Sequence, residues 1–239
     1  MASMISNRKN PAILLVAASR GLGLAMAEEF LKKGWNVVGT VRPGSGRTKL
    51  HDLVDKFKGR LEVEMLDICE QNQVAALRKR LSGRTFEMLF VNAGVTSGSE
   101  TETVGESSTE EFIRIMLTNA LSPMRVIESF QDLVPVDGLI GVMSSGQGSI
   151  TNNTTGMYEV YRGSKAALNQ FMRSYAARNA ETPRAMVLMA PGWVKTELGG
   201  PNAHLNIEES IPNLVNVLLK KQGHAGLEYL DYLGQTVPW

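Results

Sequence analysis

A three-layer αβα fold around a seven-stranded parallel sheet is the architecture the 239-residue chain predicts, and three observations carry that expectation. Apolar runs recur along the whole length, each too continuous for a strand with one wet face, as strands buried on both faces require. Helical patterns separate these runs, which is the alternation of parallel strands with crossover helices. The first run, Ala12 to Ala17, passes through a tight glycine-bearing turn into a helical stretch that ends at Gly34, a strand, turn and helix in immediate succession.

Taken in order, the apolar runs place strands near 12–17, 36–41, 61–66, 87–92, 138–144, 184–190 and 227–232. The intervening patterns place helices near 21–33, 47–57, 71–82, 109–130, 157–180 and 207–221, with a short lid near 196–204 before the last. No linker, repeat or low-complexity tract divides the chain, and 26.1 kDa suits a single domain over 1–239, with residues 1–10 expected to be flexible. The opening Met1-Ala-Ser reads either as native or as an added leader ahead of a start at Met4, and residues 1–10 hold no apolar core of signal-peptide or membrane-spanning length. A formal net charge of +1, with both signs interspersed, argues against a nucleic-acid stripe. The lone Cys69 excludes an intrachain disulfide and fits a reducing, cytoplasmic compartment, its place after the third strand suggesting packing rather than thiol chemistry. His51, His204 and His224 have no metal-ligand spacing, so no metal is expected.

Two sites in this pattern carry chemistry. In the first turn, Gly21 and Gly23 let backbone and helix N-terminus approach a pyrophosphate, whose charge the free N–H groups and helix dipole stabilise. In Tyr161-Arg-Gly-Ser-Lys165 a helix start sets a phenol and an ammonium four residues apart on one face. A nearby cation favours the phenolate and is expected to lower the Tyr161 pKa, making it a general acid toward a carbonyl oxygen. On its own each pattern is weak, since the second also describes a packed tyrosine beside a solvated lysine.

Together they resemble the short-chain dehydrogenase/reductase family, and the resemblance covers nearly the whole chain. The family's Gly-x-x-x-Gly-x-Gly turn corresponds to Ala17-Ala-Ser19-Arg20-Gly21-Leu22-Gly23, its Asn-Ala-Gly strand end to Asn92-Ala93-Gly94, its helix asparagine to Asn119 and its serine to Ser145. Tyr161 and Lys165 complete the set. Pro191-Gly192-Trp193-Val194-Lys195-Thr196 resembles the segment that closes over the nicotinamide. The runs Met143 to Ile150 and Tyr158 to Asn169, with the ending Val237-Pro-Trp239, are similar to the C-signal and sniffer-type carbonyl reductases.

The resemblance implies a Rossmann-type fold and an NADP(H)-dependent oxidoreductase that reduces a small-molecule ketone or aldehyde. It assigns proton donation to Tyr161, a hydrogen bond to the same oxygen to Ser145, the nicotinamide ribose to Lys165, and to Asn119 a bend in its helix with a water chain behind the lysine. In dinucleotide folds that take NAD an acid stands at the end of the second strand. Here Gly39-Thr-Val-Arg42-Pro-Gly44 has none, and Arg42, with Arg20, either stays a solvated charge or offers its guanidinium fork to a 2′-phosphate. The second reading gives NADP(H). Asp67 and Ile68 would meet the adenine, with a helix-capping role for Asp67 as the alternative. Asn92, Ala93 and Gly94 pass close to the adenosine ribose. Val95, Gln147, Tyr158 and Trp193 are the candidate substrate contacts, although Tyr158 and Trp193 read equally well as packing residues.

Three departures from the family pattern bear on the site. Ala17 replaces a glycine and is compatible with the turn if its φ stays negative; Val91 replaces an asparagine; and Tyr161 lies sixteen residues beyond Ser145, where most relatives have thirteen. Tyr158 satisfies the usual spacing, but four residues later it has Arg162, a poor substitute for a lysine amine under a ribose, whereas Tyr161 has Lys165. Tyr161 is therefore the expected acid and Thr151–Gly156 an inserted loop. Apolar positions on helices 109–130 and 157–180 suggest a homo-oligomer, as in relatives. The alternatives are an NAD(H)-dependent alcohol dehydrogenase and a non-catalytic nucleotide-binding regulator.

Overall fold

In the computed structural model, which describes residues 10–239, seven strands form one parallel sheet in the order β3-β2-β1-β4-β5-β6-β7. They are β1 (Ala12–Val16), β2 (Asn36–Val41), β3 (Leu61–Met65), β4 (Met88–Val91), β5 (Leu139–Met143), β6 (Ala185–Ala190) and β7 (Gly226–Asp231). The expected flexibility of 1–10 lies, but for Asn10, outside the described residues. Every strand foreseen in the sequence is present, within one or two residues at each end.

Alternation across the sheet explains the unbroken apolar runs. Ile13 and Leu15 of β1 face one hydrophobic cluster while Leu14 and Val16 face the other, so every position in the strand is interior. Helices α1 (Gly21–Lys32), α2 (Lys49–Lys56) and α7 (Ile207–Lys221) cover the first face through residues such as Phe30, Leu50 and Leu214. Helices α3 (Gln71–Arg80), α5 (Ser122–Phe130) and α6 (Glu159–Arg178) cover the second through Leu77, Ile127, Phe130 and Met172. No described helix is long and apolar enough to cross a membrane.

The one helix expected over 109–130 is instead α4 (Thr109–Met116) and α5 joined by a wide π turn at Leu117–Leu121. Pro123, in the first turn of α5, has no N–H to return to the carbonyl of Asn119, so a regular α-helical ladder cannot run through this point. The ladder shifts by one residue, and the Ser122 N–H donates to the Leu117 carbonyl. That shift turns Asn119 fully into the interior. Helix α6 begins at Glu159 rather than 157 because Tyr158 adopts a left-handed conformation at φ 57°.

Strand order reverses direction at β1, where β2 lies on one side and β4 on the other. The carboxyl ends of β1 and β4 therefore frame the crevice in which folds of this kind bind ligands.

Candidate active site

Along the crevice the side near β1 is built from backbone. No side chain caps the N-terminus of α1 and its first turn holds no acid, which leaves the leading N–H groups for an anion. Gly21 takes φ 53°, and a Cβ on Gly23 would lie 2.1 Å from the Ala17 carbonyl oxygen and 2.7 Å from Asn92 Nδ2. Asn92 donates from Nδ2 to that same carbonyl at 3.0 Å, and the Ala17 N–H donates to Thr40 Oγ1 at 2.9 Å. The expectation that Ala17 keeps a negative φ is not met: it sits at φ 67°. The two hydrogen bonds hold its N–H and carbonyl in the turn that the glycine pair needs, and the alanine Cβ is accommodated at the strain this region imposes.

At the end of β2, Arg42 is exposed and makes no ion pair among the described residues. Arg20 is also exposed and pairs with Glu197, in the segment after β6, at 2.8 Å. Asp67 accepts the Cys69 N–H at 2.9 Å in the loop before α3, whose N-cap is Glu70, so it does not cap that helix, and Ile68 beside it is buried. Ser19 and Leu22 are partly buried in the turn, while the Thr196 methyl lies where it would approach a Cβ on Gly21 to 3.8 Å. Pro191 accepts a hydrogen bond from Ser210 through its carbonyl, Gly192 takes φ 80°, and Val194 bridges to Leu205. The 191–205 segment thereby folds back over the glycine turn.

Opposite this, the ends of β4 and β5 and the start of α6 bring the polar side chains together. Asn119 is pinned on three sides: its Oδ1 accepts the Val95 N–H at 2.8 Å, and its Nδ2 donates to the Val95 carbonyl at 2.8 Å and to Ser164 Oγ at 3.0 Å. Ser164 in turn donates to the Tyr161 carbonyl at 2.7 Å. One asparagine thus fixes both the loop after β4 and the first turn of α6. Gly94 packs closely here: a Cβ on it would come within 3.3 Å of Lys165 Nζ and crowd the amine.

Lys165 is buried and donates from Nζ to the Met143 carbonyl at 3.0 Å; burial pulls its pKa down to about 8. Its Nζ lies 5.8 Å from the centre of the Tyr161 ring. The anticipated lowering of the Tyr161 pKa is not what the structure gives: burial pushes the phenol above its ordinary value, against a downward pull from the Ser145 hydroxyl. The lysine amine is aimed at a backbone carbonyl and is itself desolvated, so it does not outweigh the loss of water around the phenol. Ser145 Oγ accepts the Gln147 N–H at 3.1 Å, which leaves its own hydrogen to donate.

The two candidate tyrosines separate cleanly. Tyr161 lies with Ser145 and Lys165, whereas the Tyr158 hydroxyl donates to Glu100 Oε2 at 2.9 Å and its N–H to the Glu100 carbonyl at 2.8 Å. That bond to Glu100 raises the Tyr158 pKa, and burial adds to it. Of the other candidate contacts, Trp193 is half exposed, with its indole N–H bonded to the Gly199 carbonyl at 2.7 Å and its ring edge-on to His204. Gln147 has a buried side-chain oxygen without a hydrogen-bond partner.

Several contributors were not foreseen. Thr40 and Asn92 hold the two ends of the Ala17 turn; Glu100 and Glu197 tie down the loops on either side; and Asn169, Ser144 and Tyr229 form a polar cluster behind Ser145. Asn169 follows Lys165 by one helical turn, a spacing that could have marked it. Nothing near Tyr229 in the sequence points to Ser145.

A family model described as enoyl-(acyl carrier protein) reductase matches residues 16–215. A crystal structure from Burkholderia multivorans, assigned to the short-chain dehydrogenases/reductases and holding NADP, is 65% identical with a TM-score of 0.95, covering 96% of this chain and 100% of that one. A carbonyl reductase from Pseudomonas aeruginosa in complex with NADP is 33% identical with a TM-score of 0.88 over the same shares. The C-signal protein of Myxococcus xanthus is 34% identical over 155 residues, 64% of this chain and 92% of its own length.

Proposed function

The chain belongs to the short-chain dehydrogenase/reductase family of oxidoreductases, and on that footing we propose that it reduces a small-molecule ketone or aldehyde to the alcohol at the expense of NADPH, with Tyr161 as proton donor. The observation that carries this reading is the meeting of Tyr161, Ser145 and Lys165 at the carboxyl end of β5, while the competing Tyr158 is engaged by Glu100.

The protein side fits a dinucleotide. The α1 N-terminus is uncapped, Gly23 leaves no space for a Cβ, and β2 ends in Arg42 with no acid to receive a 2′-hydroxyl. Arg42 and Arg20 would hold a 2′-phosphate, residues 17–23 the pyrophosphate, Asp67 and Ile68 the adenine, Asn92 to Gly94 the adenosine ribose, and Lys165 with residues 191–196 the nicotinamide half. Relatives whose structures contain NADP support the same choice.

When bound, the cofactor supplies a hydride to the carbonyl carbon. At the carbonyl oxygen the Tyr161 O–H would donate the proton that completes the alcohol, and Ser145 Oγ would donate a second hydrogen bond to the same oxygen. Lys165, with a pKa of about 8, is still mostly charged at neutral pH, and its ammonium beside the phenol would favour the ionised form that Tyr161 leaves behind on giving up its proton. Asn119 keeps Val95 and the Tyr161 turn in fixed relation, so the acid and the loop beside the substrate move together. Exposed Leu121 and Phe171, beside a hollow of about 260 Å³ on α5 and α6, fit a homo-oligomeric contact.

The test is a panel of aldehydes, aryl ketones and quinones scored by loss of NADPH absorbance, run beside NADH. Turnover with NADPH that drops about a thousandfold in Tyr161→Phe, with NADPH affinity retained, is the expected result. No turnover of any carbonyl, with NADPH still bound, would favour a regulatory protein. Equal use of NADH would remove the cofactor assignment.

A further inference from the structure

Three consecutive residues at the end of β5 are each held by a different side chain. The Met143 carbonyl accepts from Lys165 Nζ, the Ser144 hydroxyl donates to Asn169 Oδ1 at 2.6 Å, and the Ser145 carbonyl accepts from the Tyr229 hydroxyl. Lys165 and Asn169 lie one turn apart on α6, so two of the three holds come from one helix. Tyr229 comes from β7, 84 residues away in sequence. From this geometry we propose that Tyr229 is a positioning residue for Ser145, setting the direction of the serine hydroxyl toward the Tyr161 phenol; the proposal rests on the reductase reading above.

A purely structural role for that hydroxyl is the weaker account. The Ser145 carbonyl already accepts the Gly148 N–H at 2.9 Å, so it would not be an orphaned acceptor without the tyrosine. The second donor adds direction. With the carbonyl drawn by Gly148 from within its own turn and by Tyr229 from the neighbouring sheet edge, the peptide plane following Ser145 cannot rotate about the chain. The Gln147 N–H, which donates to Ser145 Oγ at 3.1 Å, belongs to the same turn and is fixed with it.

Tyr229 is itself held. Its ring is 1% exposed and packs at 5.5 Å against Trp239, which lies beneath the Arg173 guanidinium at 4.6 Å. The Trp239 carbonyl oxygen accepts from both the N–H of Thr151, at 3.1 Å, and its hydroxyl, at 2.7 Å. The turn carrying Ser145 is thus gripped at one end by Tyr229 and, six residues later, through the residue that packs on Tyr229. Burial keeps the Tyr229 phenol above its ordinary pKa, so it stays a neutral donor through the working range.

Tyr229→Phe keeps the ring and removes the donor. Under the proposal, kcat with NADPH and a reactive ortho-quinone falls about tenfold, while KM for the quinone and Kd for NADPH stay within about twofold, because neither is bound through the Ser145 carbonyl. The same substitution placed in Ser145→Ala has no further effect on the residual single-turnover rate. An unchanged kcat, an equal loss in both backgrounds, or a loss of NADPH binding in Tyr229→Phe would each overturn the positioning role and leave the reductase reading intact. A wild-type chain that turns over no carbonyl would overturn both.

Discussion

The two banks of the crevice are built by opposite means. On the β1 side, the proposed cofactor grip depends on groups that are absent: no Cβ at Gly23, no cap on α1, no acid after β2. On the β5 side it depends on groups that are held, with Asn119, Ser145, Lys165 and Asn169 each fixed by bonds to backbone or to one another. A pyrophosphate needs close approach to N–H groups, and any side chain there obstructs it. Proton transfer needs a few heavy atoms held to within fractions of an ångström, and only a network of directed bonds achieves that. Substitutions on the first bank should therefore act on cofactor affinity and those on the second on turnover, with Lys165, which would also hold the nicotinamide half, acting on both.

The strongest way to break the contrast is a pair of substitutions, one per bank. Tyr161→Phe should lose about three orders of magnitude in kcat with NADPH affinity nearly unchanged. Gly23→Ala should do the reverse, because its methyl would collide with the Ala17 carbonyl. A strain of about 1–3 kcal/mol corresponds to a roughly five- to 150-fold weaker Kd, read by titration calorimetry. If Gly23→Ala bound NADPH normally and turned over slowly, the division between the banks would be wrong.

A stability measurement sharpens the second bank. Lys165 holds its proton less tightly in the folded chain, with a pKa of about 8 against an ordinary 10.5. Below pH 8 it is charged both folded and unfolded, and its burial penalises the fold. As pH rises from 8 toward 10.5 the folded form sheds its proton first, so stability increases, by an amount on the order of 3 kcal/mol at full extent. Urea midpoints collected between pH 7 and pH 10, below the range where the raised pKa values of Tyr161 and Tyr229 act in the opposite sense, should rise for wild type and not for Lys165→Met.

Two smaller effects belong to the first bank. Arg42→Ala should weaken NADPH binding by roughly tenfold and leave NADH unaffected, the loss expected of one charge-assisted contact; an equal change for both would place the 2′-phosphate elsewhere. Ala17→Gly should relieve a left-handed alanine of about 1 kcal/mol, seen as a rise of about 2–4 °C in Tm. A lower Tm would mean that the loss of chain stiffness outweighs the strain.

What could be read from the residues divides along similar lines. The strands and the first helix were legible because an interior with two faces leaves a continuous apolar run, and because a glycine pair has few other uses in such a turn. Tyr161 was legible over Tyr158 since only it has a lysine one helical turn on, and the structure gives Tyr158 a separate task with Glu100. Three features were not legible. The sign of φ at Ala17 follows from Thr40 in β2 and Asn92 just after β4, which reach it from two sides. The direction of the Tyr161 pKa depends on where the Lys165 amine points, and spacing alone does not say. Tyr229 meets Ser145 across 84 residues, a pairing that only the finished sheet creates.

The wide turn at Leu117–Leu121 makes chain length itself a constraint. Each residue added to or taken from an α-helix rotates everything beyond it by about 100°. Here one surplus residue has been absorbed in that turn, and with it the phase of α5 relative to α4. Deleting a single residue between Met116 and Pro123 would shift the phase of α5 against α4 while Pro123 still interrupts the ladder, and so leave either the interior amide of Asn119 or the apolar stripe of α5 misaligned with the sheet. Point substitutions in α4 and α5 are thus tolerated far more readily than any change in the count of residues between them.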